Sequence, residues 1–135
     1  MNALEHQLDY PFGDTLPEGG TRFEVAPGLY WLRMPLPFAL DHINLWLLRD
    51  HQDGKDGWTI IDCGINHAAI RSYWETIFAN HLDGLPVLRV LVTHCHPDHV
   101  GLSTWLCEGG DEKRWNVRLW MSLGDYRMAS SVLSL

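Results

Sequence analysis

Four residues whose side chains commonly bind metal ions lie close together in this chain: His94, His96, Asp98 and His99. Imidazole nitrogen and carboxylate oxygen are good ligands for Zn²⁺, Fe and Mn²⁺. Because alternate residues of an extended segment share a side, His94 and His96 can bind one ion together. Pro97 then stiffens a turn that lets Asp98 and His99 face a second position. The spacing predicts a transition-metal site rather than a set of unrelated histidines.

The elements predicted before this cluster place it at the end of a strand. Val87–Val92 is short and nearly all apolar, as a strand covered on both faces would be. Upstream, Ile43–Arg49 and Trp58–Asp62 flank a polar, glycine-containing loop and are predicted to pair as an antiparallel hairpin. Between this hairpin and the apolar strand, apolar residues at helical spacing predict a helix over 66–82 with Asn66 as its N-cap.

The rest of the sequence predicts short elements and no internal repeat. Residues 1–20 contain several Pro and Gly residues and are expected to form an irregular lead-in. The other predicted elements are two short strands within Phe23–Met34, a short helix over Val100–Cys107, a strand at Val117–Met121 and a helix from Leu123 onward.

Composition narrows the classes of partner. The length of 135 residues fits one domain, and 17 acidic against 10 basic residues give a net charge of −7. This charge argues against nucleic acid and anionic membranes as partners, because both attract clustered Lys and Arg. No apolar run reaches the roughly 18 residues of a spanning helix, and the N-terminus lacks a signal-peptide pattern. Three cysteines without a framework spacing predict reduced thiols and a cytoplasmic location.

The segment Thr93–Gly101, THCHPDHVG, resembles the HxHxDH signature of the metallo-β-lactamase superfamily. The Asp-x-Gly at 62–64 and the order of predicted elements agree with that family, and the resemblance covers residues 22–135 and is closest to the glyoxalase II-like branch. It implies an α+β fold, an αββα sandwich of two similar βα halves with the metals between them. Residues 21–135 resemble its first half alone, a mixed sheet with helices on one face, after the lead-in at 1–20.

The resemblance also implies roles for the clustered residues. His94 and His96 would bind the first metal, and Asp98 and His99 would belong to the second. Asp62 matches an acidic residue that supports the metal ligands from behind, an arrangement that orients imidazole rings. The alternative for Asp62 is a strand-end residue that only bonds the following turn.

Five further residues carry weaker expectations. His42 and Asn44 lie where the family often places polar residues near the pocket, although structural hydrogen bonds would also explain them. Cys95 lies between two ligands and is expected to point away from them, since alternate side chains face opposite ways. Cys63 and Cys107 are expected to be small buried residues.

The activity that the resemblance implies is metal-dependent hydrolysis of a small molecule. Two Zn²⁺ ions, with Fe or Mn as alternatives, would share a hydroxide that attacks the carbonyl of a thioester, ester or lactone. Asp98 would orient this nucleophile. Two alternatives stay open: a mononuclear iron persulfide dioxygenase, which keeps the His-x-His pair, and a non-catalytic fragment that binds metal or serves assembly.

One departure from the family pattern concerns the second half. Complete members supply a further His, a metal-bridging Asp and a last His downstream, whereas no His follows His99 in this sequence. We therefore expect the 135-residue chain to be inactive alone. We also expect it to expose an apolar sheet face with Trp46, Trp58 and Trp120 partly uncovered. Such a face favours self-association or packing against a missing C-terminal half.

Overall fold

A single mixed sheet organises the computed structural model, which describes residues 2–37 and 41–133. Within these residues six strands lie side by side in chain order. The first four pair antiparallel, whereas the last three are parallel to one another. The strands are β1 (Phe23–Ala26), β2 (Leu29–Pro35), β3 (His42–Gln52), β4 (Lys55–Ile61), β5 (Val87–Leu91) and β6 (Leu119–Trp120), and the helices are α1 (Ala68–Asn80), α2 (Pro97–Val100), α3 (Ser103–Cys107) and α4 (Leu123–Val132).

The β3–β4 hairpin is confirmed, but its strands are longer and its loop is shorter than predicted. Only Asp53 and Gly54 separate the two strands, and both have positive φ, 53° and 77°. Positive φ at both central residues is typical of a two-residue turn that matches the twist of the flanking strands. The predicted polar loop is therefore mostly strand, because the Asp-Gly pair determines the turn despite the charged residues around it.

Helix α1 covers one face of the sheet and forms the core with it. Its buried residues Ile70, Trp74 and Ile77 recur at helical spacing, as the apolar pattern predicted. The predicted cap is wrong by one residue: the ring of His67, not Asn66, accepts a hydrogen bond from the backbone of the first turn. The Asn66 side chain instead accepts a hydrogen bond from Arg71, and His67 occupies the N-cap position.

Trp58 belongs to this core, which corrects the expectation that it is partly uncovered. Its side chain is 0% exposed, and its indole N–H donates to the carbonyl of Leu82 at 2.8 Å. The register of β4 turns Trp58 and Ile60 toward the helices, whereas Trp46 and Trp120 lie on the other face and are partly exposed, as expected.

The sheet face opposite to this core carries an apolar row that crosses every strand. Successive partners in the register are Phe23, Trp31, Trp46, Ile61, Leu91 and Trp120. All are half-buried except Trp120, which is 46% exposed. Since β5 is buried only on its helix side, the expectation that it is covered on both faces is wrong for the described residues. We call this set the apolar row.

The remaining predicted elements are present with different bounds. The lead-in contains a 3₁₀-helix at Ala3–Gln7, and Phe12 packs edge-on against Phe23 of β1. The helix predicted over 100–107 is two helices, because the backbone N–H of Leu102 donates to Gly64 and leaves the helical pattern. Strand β6 is shorter than predicted. No helix in the described part of the chain has the length and apolarity to cross a membrane.

Candidate metal centre

The clustered residues lie where the carboxyl ends of three neighbouring parallel strands meet. Asp62 directly follows β4, and its N–H donates to the carbonyl of Leu91 in β5 at 2.8 Å. The N–H of Val92 continues this pairing to Trp120 of β6 at 2.8 Å. Residues 93–99, which we call the metal loop, begin at this edge of the sheet and lead into α2.

Asp62 is buried behind the metal loop and receives hydrogen bonds from it. Its Oδ1 accepts from the backbone N–H of Thr93, and its Oδ2 accepts from the Thr93 hydroxyl, both at 2.8 Å. The Nδ1 of His99 lies 2.8 Å from the same Oδ2. The residue is 4% exposed and has a φ of 63°, a conformation that is uncommon outside glycine. These contacts engage both carboxylate oxygens and leave Nε2 of His99 to face outward.

The three histidines of the metal loop lie against one another. The ring of His94 is 4.7 Å from that of His96 and 4.1 Å from that of His99, measured between centroids. Nδ1 of His94 lies 2.8 Å from the Thr93 hydroxyl, which in turn bonds Asp62. If His94 donates through Nδ1, its Nε2 is an unprotonated nitrogen with a lone pair for a metal ion.

The donor set fits a transition metal. Ligand atoms of Asp62, His94 and His99 lie within 4.8 Å of one another. The Oδ2 of Asp98 lies 3.7 Å from Nε2 of His99, so this carboxylate faces the outward nitrogen of that ring. His96 is exposed beside His94. His94 thus lies beside both His96 and His99, and Asp98 lies beside His99, with Asp62 behind His99.

Two glycines near the metal loop lie where a side chain would meet a neighbouring element. A Cβ on Gly64, which has a φ of 92°, would lie 2.8 Å from a side-chain carbon of Ile70. A Cβ on Gly101 would lie 2.5 Å from the carbonyl oxygen of Pro97 and 3.0 Å from that of Gly64. The N–H of Cys63 also donates to the carbonyl of His99 at 2.8 Å. This contact between backbones holds α2 against Asp62.

The structure pairs His42 and Asn44 with groups outside this cluster. Nδ1 of His42 lies 2.7 Å from Asp41, a contact that lowers the pKa of the Asp41 carboxyl. Asn44 accepts a hydrogen bond from the Trp31 indole at 2.8 Å. His42 lines a cleft of about 240 Å³ with Arg33 and neighbouring residues. Both polar residues therefore have structural partners, as the alternative expectation allowed.

The cysteines are unsuited to act as nucleophiles or are turned away from the histidines. Burial raises the pKa of the Cys63 thiol well above its usual value and that of Cys107 to about 11. Cys63 is fully buried and Cys107 partly so. Cys95 packs against the hydrophobic core, which agrees with the alternation expected in the metal loop.

Two residues, one within the metal loop and one that contacts it, were given no role in the sequence analysis. Thr93 links Asp62 to His94 through its hydroxyl, and Asp125 of α4 accepts a hydrogen bond from the N–H of Cys95 at 3.1 Å. Hydrogen bonding to the Ser122 hydroxyl, and also to Cys95, lowers the pKa of Asp125. A Ser followed three residues later by Asp is a recognisable helix start, but nothing in it indicates contact with a distant loop.

Comparisons with known proteins agree with this geometry. The family model described as the metallo-beta-lactamase superfamily matches residues 39–134. A linear primary-alkylsulfatase from Pseudomonas sp. is 29% identical over 114 residues, which are 83% of this chain and 15% of that protein. The probable metallo-hydrolase YqjP from Bacillus subtilis (strain 168) is 33% identical over 72 residues, which are 53% of this chain and 21% of that protein.

A solved structure shows the same fold over the whole chain. The crystal structure of a beta-lactamase domain protein from Burkholderia ambifaria is 72% identical, with a TM-score of 0.96, and the match covers 100% of this chain and 40% of that one. The chain thus spans less than half the length of these relatives, and its six-stranded sheet with helices corresponds to the first half of their common fold. The chain belongs to the metallo-β-lactamase superfamily.

Proposed function

We propose that this chain supplies the metal-binding half of a hydrolase active site, with His94, His96, Asp98 and His99 as ligands. The observation that carries the proposal is the convergence of three imidazole rings in front of a buried carboxylate that orients one of them. We propose Zn²⁺ as the metal, two ions per complete domain, with Fe or Mn as alternatives.

The residues of the chain have distinct tasks in this proposal. Asp62 holds the ring of His99 directly and that of His94 through Thr93, so that each ring presents one nitrogen. Asp98, half-buried beside His99, orients the attacking water through its carboxylate. A metal bound here would polarise the substrate and lower the pKa of a bound water. The cysteines take no part, because two have raised pKa values and the third faces the core.

The substrate class that we propose is a small thioester, ester or lactone. A second candidate is a sulfate ester, favoured by the 29% identity over 114 residues to a protein named as a linear primary-alkylsulfatase. The similarity to proteins named as an alkylsulfatase and a metallo-hydrolase supports hydrolysis as our proposal, with the iron persulfide dioxygenase as the alternative.

Two features of the whole chain belong to the proposal. The apolar row favours packing against the remainder of the longer protein or, for this chain alone, against a second copy. In the second case the chain would bind metal without catalysing a reaction, the non-catalytic alternative. The three free cysteines support a cytoplasmic location.

The test compares metal binding by the chain with that of two double variants. His94→Ala/His96→Ala should lose most of its bound Zn²⁺, because two of the four proposed ligands are removed. The control His6→Ala/His51→Ala removes two exposed histidines outside the metal loop and should bind like wild type. Equal zinc content in all three proteins, measured by elemental analysis, would contradict the proposed site.

The reaction is tested on the complete protein that carries this chain. Metal-dependent release of thiol, alcohol or sulfate from thioester, ester and alkyl sulfate substrates, together with ring opening of a lactone to its hydroxy acid, separates the two substrate classes. Loss of that activity in Asp98→Asn, with metal content retained, would support its task in orienting the attacking water. If the complete, metal-loaded protein is inactive on all four substrates, the proposed hydrolysis is contradicted and the non-catalytic alternative is supported.

A further inference from the structure

The peptide between His94 and His96 is held by a side chain from the far end of the chain. The backbone N–H of Cys95 donates to Oδ1 of Asp125 at 3.1 Å. Asp125 lies in the first turn of α4, which follows β6. The hydrogen bond therefore holds the backbone of Cys95, the residue that lies between His94 and His96.

The carboxylate of Asp125 is itself held in place by the start of α4. The hydroxyl of Ser122, the N-cap residue, donates to Oδ2 of Asp125 at 2.5 Å and accepts from the Asp125 N–H at 3.1 Å. One oxygen is thus bound to the helix start, and the other is directed to Cys95. These two hydrogen bonds between Ser122 and Asp125 hold the Asp125 side chain in the orientation that reaches the metal loop.

We propose that Asp125 is a positioning residue for metal binding, which holds His94 and His96 in register through the N–H of Cys95. This inference rests on the proposed function of the metal loop. Asp62 binds the N–H of Thr93 at 2.8 Å, so the two carboxylates bind alternate N–H groups of the same segment. Asp62 belongs to the β4 end and Asp125 to α4, and the metal loop is fixed by both elements.

Asp125 could instead serve only the start of α4, and matched variants separate these roles. Asp125→Ala removes both the helix contact and the loop contact. Asp125→Asn keeps one oxygen that can accept from Cys95 and turns its amide nitrogen to Ser122, whose hydroxyl oxygen can accept from it, so this variant should behave like wild type. Ser122→Ala removes the helix cap but leaves Oδ1 of Asp125 free to bind Cys95.

Co²⁺ is the probe for metal binding, because its visible absorption reports the geometry of its ligands. We expect Asp125→Ala to weaken Co²⁺ affinity about tenfold in chelator competition, in the range of residues that support metal ligands, and to change the absorption spectrum. Asp125→Asn and Ser122→Ala should stay within about twofold of wild type and keep its spectrum. Wild-type affinity and spectrum in Asp125→Ala, or an equal loss in either of the other variants, would overturn the inference.

Amide hydrogen exchange in the metal-free protein supplies a readout that does not depend on metal binding. The N–H of Cys95 should exchange about tenfold faster in Asp125→Ala than in wild type, and at the wild-type rate in Asp125→Asn. Unchanged exchange in Asp125→Ala would overturn the inference. A wild-type protein that binds no Co²⁺ would contradict the proposed function instead, and the exchange rates would still decide whether Asp125 holds the metal loop.

Discussion

At the scale of residues, Asp62 connects parts of the chain that are distant in sequence. Its carboxylate binds the backbone and hydroxyl of Thr93 and Nδ1 of His99. A buried carboxylate is costly unless it is well hydrogen-bonded, and here both oxygens have donors. The same contacts determine which nitrogen each ring presents, so the position of the metal loop and the proposed chemistry depend on one side chain.

Asp62→Asn is expected to keep the fold but weaken Zn²⁺ affinity about 10–100-fold. The amide retains only one acceptor oxygen, so either Thr93 or His99 loses its partner and the imidazole orientation is relaxed. Affinity is measured by chelator competition, and far-ultraviolet circular dichroism checks the fold.

The control for Asp62→Asn is Asp111→Asn, which changes an exposed carboxylate that accepts from the Trp105 indole. This variant should bind Zn²⁺ like wild type. Unchanged affinity in Asp62→Asn would leave Asp62 as a turn residue only, the alternative that its position after β4 allowed.

At the scale of elements, the approach of α2 to the turn after β4 depends on the absence of a side chain at Gly101. This glycine has ordinary helical backbone angles, φ −55° and ψ −40°, so any residue could adopt its conformation. A Cβ would nevertheless lie 2.5 Å from Pro97 O, 2.9 Å from Asn66 N and 3.0 Å from Gly64 O. All three atoms belong to the backbone and cannot move aside without shifting an element.

Gly101→Ala should therefore destabilise the protein by about 2 kcal/mol, within the usual cost of overpacking, and should also weaken Zn²⁺ binding. Gly124→Ala is the matched control, because Gly124 lies in α4 and a Cβ there meets nothing within 4 Å. It should be neutral or stabilise by about 0.5 kcal/mol through helix propensity. Urea denaturation compares the two variants, and equal stability would show that α2 adjusts to the added methyl group.

The sequence predicted most elements because their signals are local. Helix α1 followed from the spacing of Ile70, Trp74 and Ile77, and the clustered ligands followed from adjacency in the chain. The burial of Trp58 did not, because the face that a strand residue takes depends on the register with its neighbours. The contact of Asp125 with Cys95 was also missed, because it depends on where the chain places α4 after β6, and Cys95 lies 30 residues away in the sequence.

At the scale of the whole molecule, the two faces of the sheet differ in what covers them. The helix side is buried by Trp74, Ile77 and their neighbours, whereas the apolar row on the other side is half-exposed. Polar groups occupy the far end of that second face, where Asp50 bonds Thr59 at 2.6 Å and Arg89 at 2.9 Å. The face therefore combines an apolar band near the metal centre with an ion pair, a pattern suited to burial against another protein surface.

The apolar row leads us to expect that the 135-residue chain self-associates through this face. Each 100 Å² of apolar surface withdrawn from water contributes about 2.5 kcal/mol, so covering a row across six strands is a large gain for a small domain. Leu48→Glu places a charge on this face beside Trp46, at a side chain that is 37% exposed, and should shift the chain toward the monomer. Leu4→Glu makes the same chemical change in the lead-in, where the side chain is 61% exposed, and should leave assembly unchanged.

Light scattering over a range of concentrations measures the mass of each protein, with circular dichroism to confirm that the variants fold. A wild-type chain that stays monomeric at high concentration, or equal dissociation by both variants, would show that the second face does not mediate assembly.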